Sequence, residues 1–396
     1  MQYYTEDLIK EINNKPDCNF IACAVTYLQV IGINATINRM KAYGIKLSGF
    51  ILIFEHPTTG RVLKETDFDL NGTDIVAIDY CNKYRELATK PLRNRLLAVS
   101  ESGKDNGTDF IHILWTGIDY RWYEILSKVN PKKQIRFILI DDGDGSYINQ
   151  FSNELYMELY EKGDTLSKRM KAYIRVTIRE VTKSLLVRNL QNRDRLIDNR
   201  IFHVDKDGRY IPNTHISEFY KNAFREQGSG IDKSIIEKCE NAVLFNTQCL
   251  FENKMSDGKT DLELYRSVSE CAKTLGLKVA LKPHPRELDL KKYSDFNIDI
   301  IPANITQEAL IANTTEKPAC VISIFSSTLL NAYGIFDIPV ISLAKIFIKT
   351  GVSSTVEAQL KDYIKRYEKN FIFPETVDEL KVALEKIVKE KTICQE

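Results

Sequence analysis

The chain has 396 residues, and its 55 Lys and Arg against 54 Asp and Glu leave a formal net charge of +1, which excludes a whole-molecule field aimed at nucleic acid. A single hydrophobic core has usually stopped growing at this length, so two domains are expected, and 43% hydrophobic with 28% charged residues is the balance of an ordinary globular protein. Eight cysteines (Cys18, Cys23, Cys81, Cys239, Cys249, Cys271, Cys320 and Cys394) are scattered without the close CxxC pairs of a zinc site, which predicts buried thiols in a reducing compartment rather than a disulfide framework. The first residues show no charged-then-apolar leader pattern and no apolar run approaches about eighteen residues, so a cytoplasmic protein is expected.

In chain order, Phe20 to Ala24 reads as a short buried strand and Thr26 to Met40 as the helix after it, because Leu28, Ile31, Ile33 and Ile37 recur at roughly helical spacing. Gly49 to Phe54 is a second strand, ending at Glu55-His56-Pro57, where the His-Pro pair reads as a loop. Asp74 to Ile78 and Phe110 to Leu114 are further strands, Ile118 to Val129 a helix, and Gln134 to Ile140 a strand that is apolar from Phe137 onward. Strands alternating with helices predict a parallel sheet with right-handed crossovers. The last strand runs into Asp141-Asp142-Gly143-Asp144-Gly145-Ser146-Tyr147. Carboxylates on a glycine-rich loop at a strand end suit catalysis; a solvated turn or a divalent-cation loop is the alternative, although the longer EF-hand pattern with its distal Glu is missing. Trp115 and Trp122 beside this loop suit stacking on a sugar or core packing.

Residues 152–200 read as mostly helical and increasingly basic. Lys168, Arg169, Lys171, Arg175, Arg179, Lys183, Arg188, Arg193 and Arg195 accompany a stripe of Tyr173, Ile174, Ile178, Val181, Leu185 and Leu186. Such a helix either packs its stripe on the core or lies on an anionic membrane as a peripheral contact; the same region is the expected surface of a homodimer. Turn signals at Asp207-Gly208, Pro212-Asn213 and Gly228-Ser229-Gly230 mark 204–240 as a linker. The expected organisation is an α/β domain over 1–203, the linker, and a second α/β domain over 241–396 with closing helices at Ser354 to Lys365 and Val377 to Lys389.

The second half carries the sharpest chemistry. A new series starts at Ala242 to Phe245 and leads into Asn246-Thr247-Gln248; a helix from Asp261 to Leu275 precedes a strand that ends in Lys282-Pro283-His284-Pro285-Arg286. Proline restricts itself and the residue before it, so His284, one of five histidines, is held by stiff backbone. After a short strand at Ile298 to Ile301 and a helix from Gln307, a second apolar run, Cys320 to Phe325, stops at Ser326-Ser327-Thr328 before another helix and the strand Pro339 to Leu343. Hydroxyls and unpaired N–H groups at a helix start suit an anion. An imidazole and a hydroxyl cluster at two strand ends converge at the carboxyl edge of a parallel sheet, where open α/β sheets bind ligands. This predicts a nucleotide-phosphate site with a proton donor beside it. His112, His203 and His215 lack partners at metal-ligand spacing and are expected to be structural or surface groups.

Taken in order, Asp141-Asp142-Gly143, Lys282-Pro283-His284-Pro285, Pro302-Ala-Asn-Ile305-Thr-Gln-Glu308-Ala-Leu310 and Ser326-Ser327 resemble the motifs of bacterial CMP-sialic acid-dependent sialyltransferases. The nearest likeness is to glycosyltransferase family 52 and polysialyltransferase-like proteins, with family 80 sharing the motifs, over roughly residues 18 to 345. The resemblance implies a GT-B fold, two Rossmann-like domains with parallel sheets facing a central cleft, and catalysis without a metal or other cofactor. It implies Asp142 as general base on the acceptor hydroxyl and His284 as acid or electrostatic stabiliser of the departing CMP. Lys282 and Pro285 would lie near the cytosine, Glu308 on the ribose hydroxyls, and Ser326 and Ser327, with Thr328 and Gln248 beside them, at the phosphate. Asp141, Asp144 and Asp261 are alternative bases. The implied partners are a nucleotide-sugar donor and a cell-surface glycan acceptor, lipooligosaccharide or capsule; CMP-Kdo or CDP-glycerol transfer, sugar-nucleotide epimerisation and non-catalytic nucleotide or glycan binding are the other readings.

Overall fold

The computed structural model describes residues 12, 14–55, 63–79, 110–115, 134–141, single helical positions between 167 and 188, and 196–393 apart from 206, 251–257 and 288. The chain folds as two units, Met1–Arg200 and Ile201–Glu396.

The first unit is built on a six-stranded sheet in the order β3-β2-β1-β4-β5-β6, every neighbouring pair parallel. Its strands are β1 (Phe20–Ala24), β2 (Ser48–Ile53), β3 (Asp74–Asp79), β4 (Phe110–Trp115), β5 (Gln134–Leu139) and β6 (Leu196–Asp198). Strands buried on both faces read as near-continuous apolar runs, and all six residues of β2 are buried. Helix α1 (Tyr27–Ala42) starts at Thr26, which caps it in a reciprocal box with Gln29. Its Val30, Ile33 and Ile37 pack on Phe20, Ile51 and Ile138. A buried polar tie joins helix to sheet edge: Arg39 Nη1 donates to Asn199 Oδ1 (2.5 Å), and Asn199 Nδ2 donates to Thr36 Oγ1 (3.3 Å). His112 sits buried on β4; desolvation, then the Arg136 charge, pushes its pKa down to about 4, so it is a neutral core imidazole.

The second unit holds a five-stranded parallel sheet in the order β11-β10-β9-β12-β13. Its strands are β9 (Val243–Asn246), β10 (Val279–Lys282), β11 (Asp299–Ile300), β12 (Cys320–Ser323) and β13 (Val340–Ser342). Ahead of it stand an antiparallel hairpin, β7 (Phe202–Val204) with β8 (Tyr210–Pro212), then α2 (Thr214–Gln227) and α3 (Lys233–Cys239). The remaining helices are α4 (Lys259–Thr274), α5 (Gln307–Asn313), α6 (Ser327–Gly334), α7 (Ala344–Lys349), α8 (Ser354–Tyr367) and α9 (Val377–Ile393). Both sheets thus have the doubly wound order of a Rossmann-like unit, with the strand order reversing between β1 and β4 and between β9 and β12. The expected class, two Rossmann-like parallel α/β domains, is the architecture observed.

Three expectations differ from the structure. Residues 204–240 are not a linker: the turn residues punctuate elements of the second unit instead of separating domains. Gly208, at φ +75°, closes the β7–β8 hairpin, Asn213 precedes α2, and Gly228 ends it. Helix α2 buries Ile216, Tyr220, Ala223 and Phe224 at helical spacing. The hairpin is tied in by Phe202 stacked on Tyr333, by Tyr210 against Tyr367, and by the Asn370 side chain on the backbone of Tyr210. The basic helical reading of 152–200 runs too far, because 196–198 form the edge strand β6. Within that region Tyr173, Ile174, Ile178, Val181 and Leu185 are helical but 48–54% exposed, so the stripe is not part of the core. The helix expected at 118–129 and the Trp122 and His56-Pro57 readings lie outside the described residues.

One packing constraint in the first unit is sharp. Gly49 pairs with Phe20 in the β1–β2 ladder at φ +154°, and a Cβ there would fall 1.8 Å from the Phe20 carbonyl oxygen. Gly49→Ala is expected to cost at least the upper end of the ~1–3 kcal/mol typical of overpacking. At Gly44, with φ +72° and open space around it, alanine meets only the left-handed backbone penalty of roughly 1–2 kcal/mol. Thermal melting of the two variants should therefore place Gly49→Ala clearly below Gly44→Ala; the reverse order contradicts the ladder register.

Candidate functional site

The carboxyl edge of the second sheet gathers most of the motif residues. At the end of β9, Asn246, Thr247 and Gln248 stand beside the point where the strand order reverses. Thr247 serves the β10 side: its Oγ1 accepts from the His284 backbone N–H (3.2 Å) and donates to Glu287 Oε1. Asn246 and Gln248 serve the β12 side. Asn246 Nδ2 donates to Thr328 Oγ1 (3.0 Å), and Gln248 Nε2 donates to Ser323 Oγ (3.3 Å), which in turn donates to the Asn246 carbonyl (3.1 Å). Three consecutive residues therefore link the His-Pro loop to the hydroxyl cluster.

The hydroxyl cluster is a helix cap. Ser326 precedes α6, and its Oγ accepts from the Thr328 N–H (3.2 Å) and the Thr328 hydroxyl (2.8 Å). A serine that accepts twice has its own O–H left as a donor, at a helix N-terminus whose dipole favours an anion. The Thr328 hydroxyl is committed to Ser326 and Asn246, so its part is to orient Ser326. Ser327 opens the helix and is half-buried.

His284 is half-buried while Pro285 is exposed. The ring Nδ1 of His284 accepts from the Arg286 N–H (3.1 Å), which leaves Nε2 to carry the proton of the neutral ring. Lys282, expected near a base, is only 6% exposed at the end of β10 and donates to the Pro283 carbonyl (2.9 Å) and the Ala303 carbonyl (3.0 Å), joining the His-Pro loop to the Pro302 loop. Burial pulls its pKa down to about 8, against the opposing pull of Glu308 and Glu287. Glu308 lies buried in the first turn of α5, where Asn331 Nδ2 donates to its Oε1 (2.8 Å); burial raises its pKa. At the same edge Asn246 Oδ1, Asn331 Oδ1 and both amide atoms of Gln307 are buried without a hydrogen-bond partner among the described residues, an arrangement that calls for a polar ligand or water.

The acidic candidates divide differently. Asp141 follows β5 and is fully buried; Asp142 and Asp144 lie outside the described residues. Asp261 is buried in the first turn of α4. Sequence reasoning missed Asn246, Thr247, Ser323, Glu287 and Asn331. Only Asn246 and Thr247 carried a signal, as polar residues ending an apolar run next to Gln248. Among the described residues no cluster of His, Cys, Asp or Glu could hold a metal ion, and no helix is long and apolar enough to cross a membrane.

Residues 26–345 match the family described as alpha-2,8-polysialyltransferase, a stretch that runs from the N-cap of α1, just after β1, through β13, the last strand of the second sheet. The chain belongs to the alpha-2,8-polysialyltransferase family. It is an enzyme, a sialyltransferase, as the order of its motifs predicts. No curated protein matches the sequence. Among solved structures it is similar to the alpha/beta-galactoside alpha-2,3-sialyltransferase of the luminous marine bacterium Photobacterium phosphoreum (14% identity, 89% of this chain and 96% of that one, TM-score 0.42). It is also similar to a sialyltransferase from Photobacterium damsela (14%, 90% and 81%, TM-score 0.43) and to a UDP-GlcNAc 2-epimerase from Neisseria meningitidis (14%, 93% and 99%, TM-score 0.40). The family assignment rests on the matched sequence, not on these likenesses.

The lowered pKa of Lys282 in this polysialyltransferase-family chain has a consequence for stability. Unfolded, the amine has its ordinary value of 10.5; folded, it releases its proton near 8. Between those values the unfolded state holds the extra proton, so Lys282's contribution favours folding most above 10.5 and is lost as pH falls through about 8. The unfolding free energy of the wild type relative to Lys282→Met should therefore rise with pH across this window, and the Lys282 13Cε resonance should titrate near 8. A midpoint at the ordinary 10.5 contradicts the burial.

Proposed function

We propose that the second unit binds the CMP moiety of a CMP-activated sialic acid, or a related nonulosonic acid, and that the enzyme transfers the sugar to a glycan hydroxyl by direct displacement without a metal. The observation that carries this reading is the hydrogen-bonded line from His284 through Thr247 and Asn246 to Thr328 and Ser326, at the sheet's reversal point. It sets an imidazole N–H, a serine O–H and a helix N-terminus at one edge, which are donors suited to a single phosphate. Buried amide atoms of Asn246, Asn331 and Gln307 supply further polar groups for the nucleoside.

In the reaction the bond from the anomeric carbon to the phosphate oxygen breaks while the acceptor oxygen bonds to that carbon. The transition state is oxocarbenium-like, and negative charge grows on CMP. His284 Nε2–H and Ser326 O–H stabilise that charge. The acceptor proton passes to a carboxylate, for which we assign Asp142 over Asp141, because Asp141 is fully buried after β5. Glu308 with Asn331 contributes to the ribose side, and Lys282 acts by holding the loops on which Pro285 and the base lie. The acceptor is a surface glycan such as a capsule or lipooligosaccharide chain, and the enzyme works in the cytoplasm, on the inner membrane face.

Purified protein in chelator should release CMP from CMP-sialic acid when given an oligosialic acceptor. His284→Ala and Asp142→Ala should each lose about 10²- to 10⁴-fold of that rate, the range of general acid–base catalysis. Undiminished transfer in both variants would refute these roles, and CMP release from CMP-Kdo or CDP-glycerol but not from CMP-sialic acid would move the enzyme to another donor.

A further inference from the structure

The side chain of Glu287 is fully buried, an unusual place for a carboxylate outside any motif so far described. It has a full set of donors. Oε1 accepts from the His284 backbone N–H (3.0 Å) and from the Thr247 hydroxyl, while Oε2 accepts from the Tyr293 hydroxyl (2.5 Å) and pairs with Lys292 Nζ (3.0 Å). The Glu287 backbone N–H donates back to the His284 carbonyl (3.0 Å). One residue thus holds both the N–H and the C=O of His284. The turn so closed brings the Arg286 N–H onto His284 Nδ1 (3.1 Å). A buried charge is tolerated only when paired and hydrogen-bonded, and here every one of those bonds bears on the geometry of a single loop.

We infer that Glu287 is the positioning residue of the His-Pro loop: its buried carboxylate closes the turn that orients the His284 ring and assigns its neutral-state proton to Nε2, the atom facing the departing phosphate. Thr247 transmits the same constraint from β9, and Tyr293 and Lys292 hold the carboxylate from behind. The catalytic consequence rests on the transfer reading above; the structural claim about the imidazole does not. Glu287→Gln keeps the shape but turns one acceptor into an amide donor, which must face either the His284 N–H or Lys292, so the turn loosens without a cavity. A small displacement of a reacting group is sufficient to cost about a hundredfold in rate.

The test uses the full chain labelled with 15N-histidine, with the His284 signals identified by their loss in His284→Ala. Above its titration, wild-type His284 should show the Nε2–H tautomer. In Glu287→Gln it should show a mixture of tautomers, with kcat lowered roughly 10- to 100-fold and KM for the donor little changed. Tyr293→Phe, which removes one bond to Oε2, should move both readouts in the same direction by less. A folded Glu287→Gln protein with an unaltered His284 tautomer and unaltered kcat overturns the proposal, as does a loss confined to melting temperature. Should Glu287→Gln fail to fold, Thr247→Val and Tyr293→Phe carry the same two readouts: a mixed tautomer with lowered kcat supports the proposal, and no change in either overturns it. The spectra need no substrate, so an enzyme that ignores CMP donors would refute the transfer reading while leaving this measurement decisive.

Discussion

Successive side chains of a strand point to opposite faces, and at the end of β9 this alternation sorts three polar residues between two neighbours. Thr247 reaches the loop after β10, whereas Gln248 reaches Ser323, the last residue of β12, and Asn246 reaches the start of α6. Because β9 is the central strand, at which the order of the sheet reverses, no other strand of this sheet can touch both loops in this way. The rest of the edge is arranged around that link. Ser326 can cap α6 and still present a hydroxyl because Thr328 is itself held by Asn246, and the His-Pro loop keeps its turn because Thr247 and Glu287 are hydrogen-bonded to each other.

The same edge concentrates ionisable groups that water would ordinarily claim. Lys282 is buried and donates its protons to two carbonyls; Glu308 is buried against Asn331; Glu287 is buried among three side-chain donors. Each would be costly if left unpaired, since removing one partner of a buried charge leaves the full desolvation penalty on the other. The directions of the shifts follow: burial lowers Lys282 and raises Glu308, and the neighbouring carboxylates offset only part of the lysine's loss. Stiffness gained in this way suits a site that must stabilise a brief charge on a phosphate, because donors already in place need no reorganisation at the moment of reaction.

Much of the fold was legible in the residues. Strands β1, β2, β5, β10 and β12 are short apolar runs that stand out against their flanks, and helices α4, α8 and α9 show their amphipathic spacing directly. The stretch before β9 was not, because Gly and Pro mark the ends of elements and the ends of domains alike; whether Asp207-Gly208 is a hairpin turn depends on Phe202 and Tyr210 finding Tyr333 and Tyr367 more than a hundred residues away in sequence. In the site, His284 and Ser326 stood out through stiff backbone and helix-start chemistry, whereas Lys282 entered only through the family resemblance, and its hold on the Pro283 and Ala303 carbonyls has no local signal. Glu287 was not: a glutamate two residues after a proline is an ordinary surface residue until a tyrosine, a threonine and a lysine close over it.

By itself the sequence determined the class of fold, the order of the motifs and hence the family, because these depend on local periodicity and on residue types within a few positions of one another. Only the tertiary structure decided which polar groups hold the edge together and which are left to face a ligand. That division is set by contacts between residues such as Asn246 and Thr328, or Glu308 and Asn331, whose separation along the chain leaves no mark in the local pattern.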